Sequence, residues 1–313
     1  TICLVGSEMC IRDSLYTSGT TGSPKGVMTS HRSMINNTML QLLQGAAVSM
    51  RSTRLGTDWT VNKPTSLLTS PLFHVSGLSA GVVTALFAGT TTYIYEGRFD
   101  PQNILRVIDK YKITSWGGAV PTALKRVLDE APNHNLDYES MLVVGGGGAP
   151  MPETLIARTK QIFKNVEHNF GYGYGLTESG AITVVNWGDD LNNFPRSPGK
   201  PMPTIEVKLI DDDGNEIFDD EMEGEICVRS PSVMLGYYKN QIESKKSLNK
   251  DRFLSTGDYG YRKDDLYFIS SRRTDLILRG AENVYPQEIE ILLDQYDGVA
   301  ESAVIGVPHD DLG

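Results

Sequence analysis

Between His31 and Phe170 the chain alternates two periodicities, and this alternation restricts the fold more than any other feature of its 313 residues. Short apolar runs at Ser66–Thr69, Thr91–Tyr95, Ile113–Trp116 and Met141–Val144 have the length and β-branched or aromatic content of strands. Between and after them, Pro101–Lys110, Thr122–Glu130 and Pro152–Ile162 read as helices, and Pro101 and Pro152 sit in first turns, where a missing N–H is harmless. This pattern predicts an α/β fold in layers. Around Gly199 it gives way to short strands and tight turns, such as Glu206–Ile210 and Gly224–Val228, which predict a small β-barrel-like subdomain. Beyond Arg272, a strand at Leu276–Leu278, a loop containing Gly280, a helix over Pro286–Asp294 and a strand at Ser302–Ile305 predict the start of a small α+β domain.

Composition excludes some classes. At 40% hydrophobic and 22% charged residues, the chain can bury an ordinary globular core. Acidic residues outnumber basic ones by 39 to 29, a net charge of -10, which disfavours nonspecific contact with nucleic acid or an anionic membrane. Cys3, Cys10 and Cys227 form no Cys-x-x-Cys pair and no disulfide framework, which fits a reducing cytosol, so a cytoplasmic location is expected. No apolar run approaches membrane-spanning length. Met9–Ser14 resembles the translation of a transposase adapter used in sequencing libraries. Residues 1–14 are therefore expected to be a scar and are set aside from the fold argument. The C-terminus stops at Gly313 inside a strand-and-loop pattern, so the chain reads as a fragment at both ends.

Leu15–Gly26 concentrates five serine and threonine hydroxyls, three glycines counting Gly26 at its end, and Lys25. Glycines let backbone N–H groups face an anion, hydroxyls add donors, and the lysine adds a mobile positive charge, which is the composition of a phosphate cradle. The nucleotide-hydrolase loop Gly-x-x-x-x-Gly-Lys-Ser/Thr does not fit, because Pro24 follows Gly19 at the fifth position and Gly26 follows Lys25. The acidic run Asp211–Glu216 is likewise no calcium loop: its sixth position is Glu216 and its twelfth is Met222, so Asp213 and Gly214 read as a hairpin turn.

Four further segments follow the phosphate run: Gly145–Pro150 with its four glycines, Tyr174–Glu178, Ser255–Asp258, and Ser271–Ile277 leading into Gly280–Pro286. In this order and approximate spacing they resemble the adenylate-forming (AMP-binding) superfamily of acyl-CoA synthetases, nonribosomal adenylation domains and luciferases, over nearly everything from Leu15 to Gly313. The resemblance implies an adenylate-forming domain over residues 15–271, a hinge over 272–275 and the beginning of the C-terminal domain over 276–313. It implies ATP, Mg²⁺ and CoA as cofactor and substrates, with a small-molecule carboxylic acid as the other partner.

The resemblance also assigns residues. Thr17, Ser18, Gly19, Thr20, Thr21, Gly22 and Lys25 would hold the β- and γ-phosphates. Thr177 would donate to the α-phosphate, and Glu178 would ligate Mg²⁺, whose octahedral shell takes few protein carboxylates. Tyr174 would stack on adenine beside Gly147, Gly148 and Ala149, while Asp258, assisted by Arg272, would accept from the ribose hydroxyls. Lys25, His74, Thr177 and Glu178 form the expected catalytic set. His74 would lie beside the incoming carboxylate, and Trp116, Gly118 and Gly146 would line a thin-walled acyl pocket. Gly280, Glu282 and Asn283 would face CoA.

Two departures from the family pattern stand out. The hinge position that usually carries Asp or Lys is Thr274, and the family's late catalytic lysine would lie beyond Gly313. The expected activity is ATP-dependent conversion of a medium- or long-chain fatty acid to an acyl-adenylate and then to a CoA thioester. Loading of a carrier-protein thiol, or nucleotide binding without catalysis, are the alternatives.

Overall fold

The computed structural model describes residues 11–17, 24–55, 64–272, 277–279, 282–284, 286–296, 298–299 and 302–307, with the backbone alone for a few, Arg272, Glu282 and Asn283 among them. The first element is a hairpin, β1 (Ile11–Thr17) and β2 (Lys25–Ser30), followed by the long helix α1 (His31–Arg54). Ser30 caps α1 by accepting from the Ser33 amide at 3.0 Å. An α/β run follows: β3 (Thr65–Leu68), a wide π-helix (Ser76–Val83) continuing into α2 (Thr84–Ala88), β4 (Thr91–Ile94), α3 (Pro101–Tyr111), β5 (Ser115–Ala119), α4 (Pro121–Glu130), β6 (Val143–Gly147), α5 (Glu153–Ile162) and β7 (Phe170–Tyr174). Asp100 caps α3 through the Gln102 amide at 3.0 Å, with Pro101 in the first turn as its sequence predicts.

Past β7 come β8 (Val184–Trp187), α6 (Gly188–Asn193), β9 (Lys200–Pro201), β10 (Glu206–Ile210), β11 (Glu216–Ile217), β12 (Gly224–Arg229), β13 (Gly236–Tyr237), α7 (Gln241–Ser247), β14 (Leu254–Lys263) and β15 (Leu266–Arg272). The chain then forms a short hairpin, β16 (Ile277–Arg279) and β17 (Glu282–Val284), and α8 (Pro286–Leu293). Seven strands form one sheet in the order β4-β3-β5-β6-β7-β8-β9, parallel from β4 to β7 and antiparallel beyond. The expected small β subdomain is an antiparallel sheet in the order β11-β10-β12-β14-β15. A third sheet, β1-β2-β13, joins the hairpin to the strand before α7.

The parallel sheet has two unlike faces, and this places the site. Side chains alternate across a strand, and the registers align Leu67, Trp116, Val144 and Phe170 on one face. All four are buried in a core with Ile104, Ile108, Leu124 and Leu128 from α3 and α4. The opposite face carries Ser66, Ser115, Gly117, Val143, Gly145 and Gly171 at the intervening positions. Bulk on one side binds the helices, and the glycine and hydroxyl positions that predominate on the other, beside Leu68 and Val143, leave room.

Some boundaries differ from the expected ones. The strand expected at Ile113–Trp116 starts at Ser115, and the one expected at Met141–Val144 runs Val143–Gly147, so the glycine run is largely strand. Residues 302–307 hold no regular strand where Ser302–Ile305 was expected to form one. Residues 11–14, set aside in the sequence reading, are paired in β1, because ladder bonds join backbones and demand little of the side chains. Among the described residues, no helix is long and apolar enough to cross a membrane.

Candidate active site

The bare face of the parallel sheet opens into a cleft of about 1310 Å³ that extends from the β1–β2 hairpin to β4 and is bounded by residues of α1, the π-helix and α2. It runs along the face of β3, β5 and β6 and reaches their carboxyl ends at Leu68, Gly118 and Gly147, where ligands usually sit in open α/β sheets. Motif residues from separate segments meet here: Thr17, Lys25, His74, Gly118, Gly146, Gly147, Gly148, Tyr174, Thr177 and Glu178 all line it.

Thr17 and Lys25 are direct partners across the β1–β2 ladder, so they form the two ends of the phosphate segment. The rest of that segment, Ser18, Gly19, Thr20, Thr21 and Gly22, lies outside the described residues. Each end is tied to a carboxylate. The Thr17 hydroxyl donates to Glu178 Oε1 at 3.4 Å, and Lys25 Nζ donates to Glu243 Oε2 at 2.5 Å. Glu178 Oε1 also accepts from the Tyr237 hydroxyl at 3.0 Å, and Lys25 Nζ lies 5.2 Å from the centroid of the Tyr237 ring. Burial, followed by the Glu178 charge, pushes the Tyr237 phenol well above its ordinary value, so it stays a donor. Lys25 holds the Glu243 carboxyl below the usual range.

A tight turn over Thr177–Ser179 after β7 aims Glu178. Ser179 is buried; its hydroxyl donates to the Leu176 carbonyl at 3.0 Å and accepts from Thr183 at 2.9 Å, and the Glu178 carbonyl accepts from the Met234 amide at 2.8 Å. One carboxylate flanked by two hydroxyls fits Mg²⁺ bound mainly through phosphate oxygens and water, since that ion uses one or two carboxylates in such sites.

Asp258 enters from β14 of the antiparallel sheet and is almost fully buried. The Tyr174 hydroxyl donates to its Oδ2 at 2.6 Å, bridging the two sheets. Arg272 is the backbone register partner of Asp258 in the β14–β15 ladder. Glu282 and Asn283 lie in β17, while Thr274 and Gly280 fall outside the described residues.

His74 sits in the turn before the π-helix, where its Nδ1 accepts from the Ser76 amide at 3.2 Å and lies 2.8 Å from the Ser76 hydroxyl. Two expected positions need correction. Trp116 is fully buried on the helix-packed face, its Nε1 donating to Thr69 Oγ1 at 3.0 Å, so it does not line the cleft. Its strand neighbours Ser115 and Gly117 do. Ala149 is exposed and outside the cleft lining.

Tyr237 and Glu243 were missed. A Gly-Tyr-Tyr run at 236–238 carries no distinguishing spacing, and only the pairing of Tyr237 with Val27 in β2 brings it to the phosphate segment.

The sequence profile of the AMP-binding enzyme family matches residues 14–238. A long-chain-fatty-acid–CoA ligase of Bacillus subtilis is 33% identical over 302 residues, covering 95% of this chain and 50% of that protein. A 3-[(3aS,4S,7aS)-7a-methyl-1,5-dioxo-octahydro-1H-inden-4-yl]propanoyl:CoA ligase of Rhodococcus jostii is 33% identical over 307 residues, covering 97% and 54%. Among solved structures, the o-succinylbenzoate CoA synthetase of Bacillus subtilis with its acyl-adenylate intermediate superposes with a TM-score of 0.79 at 30% identity, covering 96% of this chain and 57% of that one. The chain thus spans about half the length of the curated relatives it matches.

Proposed function

We propose that this chain, which belongs to the AMP-binding enzyme family, forms the adenylate-forming part of an ATP-dependent acid–CoA ligase acting on a medium- or long-chain fatty acid. The observation that carries this reading is the convergence of Thr17, Lys25, Tyr174 and Glu178 on one cleft that continues past them over a nearly bare sheet face. In the first half-reaction a carboxylate oxygen attacks the α-phosphorus of ATP; the new O–P bond forms as the bond to pyrophosphate breaks. Thr17 and Lys25 bind the departing phosphates, and Thr177 donates to the α-phosphate. Mg²⁺, when bound at Glu178, supplies neutralisation of the charge on those oxygens. Tyr174 and Asp258 hold the nucleoside, which requires the phenol to leave the carboxylate so that the ribose hydroxyls can take its place. In the second half-reaction the CoA thiol loses its proton, its sulfur bonds to the acyl carbon, and the mixed anhydride opens to release AMP.

The acyl tail has a path. From Gly117 and Gly145 the cleft continues to Ser66 and Thr92, walled by Ala80, Gly81, Ala85 and Ala88 of the π-helix and α2. The small residues on this wall leave room for an extended occupant. The test is AMP formation by the full-length gene product across a panel of carboxylic acids, with and without CoA. CoA-dependent AMP release that rises with chain length supports the reading. A preference for acetate or benzoate counts against the fatty acid, and pyrophosphate release without CoA consumption points to a carrier-protein thiol.

A further inference from the structure

We propose that Glu243 is a resident counter-ion for the phosphate-segment lysine: it holds Lys25 while no polyphosphate is bound, yields it to incoming ATP, and reclaims it as pyrophosphate leaves. This rests on the reading of the cleft as an ATP site. Lys25 and Glu243 are both largely withdrawn from water, at 11% and 22% side-chain exposure, and meet at 2.5 Å. Yet the pair is not needed to fix α7 in place. Asn240 caps that helix by accepting from the Glu243 amide at 3.2 Å. Ser244 accepts from the Tyr237 amide at 2.7 Å and donates to the Asn240 carbonyl at 2.7 Å. The neighbouring residues therefore fasten α7 to β13 and leave the Glu243 carboxylate directed at one target.

That target lies opposite Thr17 at the mouth of the phosphate segment. A triphosphate seated there would set several negative charges beside Glu243, so phosphate and carboxylate compete for one ammonium. The competition has a direction. It weakens binding of any ligand with a β-phosphate, and it offers Lys25 a partner at the moment pyrophosphate departs. AMP, with only an α-phosphate, lies outside it. Lys246, one turn on and also lining the cleft, adds a second cation that a released carboxylate can face.

The test uses the full-length protein, with affinities for ATP, inorganic pyrophosphate and AMP measured by calorimetry for the wild type, Glu243→Gln and Glu243→Asp. Glutamine keeps the shape and removes the charge. The expected result is that Glu243→Gln binds ATP and pyrophosphate about three- to tenfold more tightly, the range of a partly buried ion pair, with AMP unchanged. Pyrophosphate should become a correspondingly stronger product inhibitor. Aspartate, one methylene shorter, should fall between glutamine and the wild type. Weaker binding of all three ligands in Glu243→Gln would mean that the ion pair only braces the cleft wall, and equal affinities in wild type and variant would likewise overturn the proposal. A wild-type protein that binds none of the three ligands refutes the nucleotide reading itself, a result distinct from either.

Discussion

The two ends of the cleft are built on opposite principles. At the hairpin end, side chains reach in and are held by partners: Thr17 and Tyr237 by Glu178, Lys25 by Glu243, Tyr174 by Asp258. Toward β4 the sheet presents mainly glycine and hydroxyl positions, and the site is defined by what is missing. On the proposed reading of a nucleotide at one end and a fatty acid at the other, the contrast follows from the ligands. A polyphosphate needs fixed charges and donors, so residue types are constrained; a hydrocarbon tail needs only volume, which many sequences supply.

The largest effect should come from breaking the charged end. Glu178→Gln preserves size and an acceptor for Tyr237 while removing the charge expected to hold Mg²⁺. Acid-dependent pyrophosphate release should fall on the order of a hundredfold to a thousandfold. A fall below tenfold would show that the hairpin end is less dependent on charge than its pairing suggests.

Next in size is a steric test of the bare face. Gly171 lies opposite Trp187 in the β7–β8 ladder, and a Cβ there would stand 2.2 Å from the indole ring. Gly171→Ala should destabilise the fold by about 1–3 kcal/mol, since neither backbone nor ring can yield cheaply. Chemical denaturation measures this. An unchanged midpoint would mean that the tryptophan is free to swing into the cleft.

The same division governed what could be read beforehand. The layered α/β order was legible in the alternating periodicities, and Lys25, Tyr174 and Glu178 were named through the ordered motifs that carry the family resemblance. Strand parity carries the orientation of Trp116: if Ser115 and Gly117 face a pocket, Trp116 must face away. Tyr237 and Glu243 were invisible, since they reach the site through pairing between segments some two hundred residues apart. The π-helix over Ser76–Val83 was equally hidden, as small residues carry no strong preference for its wide turns. Volume leaves almost no sequence signal.

Gly117→Val asks whether that volume is used. A Cβ at Gly117 would meet nothing within 4 Å, so the substitution should fold normally and project into the cleft. The expected outcome is a rise of about tenfold in KM for a twelve-carbon acid with little change for a six-carbon one, as a few lost methylene contacts would give. Equal KM values for both acids in wild type and variant would place the tail elsewhere and remove the distinction between the ends.

The smallest effect concerns the back of the charged end. Cys227 in β12 is buried behind Ser255, with Sγ 3.8 Å from the Ser255 hydroxyl, and Ser255 lines the cleft. Burial pushes its thiol up from 9.0 to about 11. A folded-state value above the unfolded one means that the neutral thiol is favoured on folding. The associated stability is intact below pH 9 and is lost as pH rises toward 11, amounting to about 1 kcal/mol by pH 10. With Cys3 and Cys10 replaced by serine, iodoacetamide at pH 8 should label the unfolded protein quickly and the native protein hardly at all. Rapid native labelling would show that water reaches the back of this sheet, and a charged end that is wet from behind would lose the low-dielectric setting on which its paired charges depend.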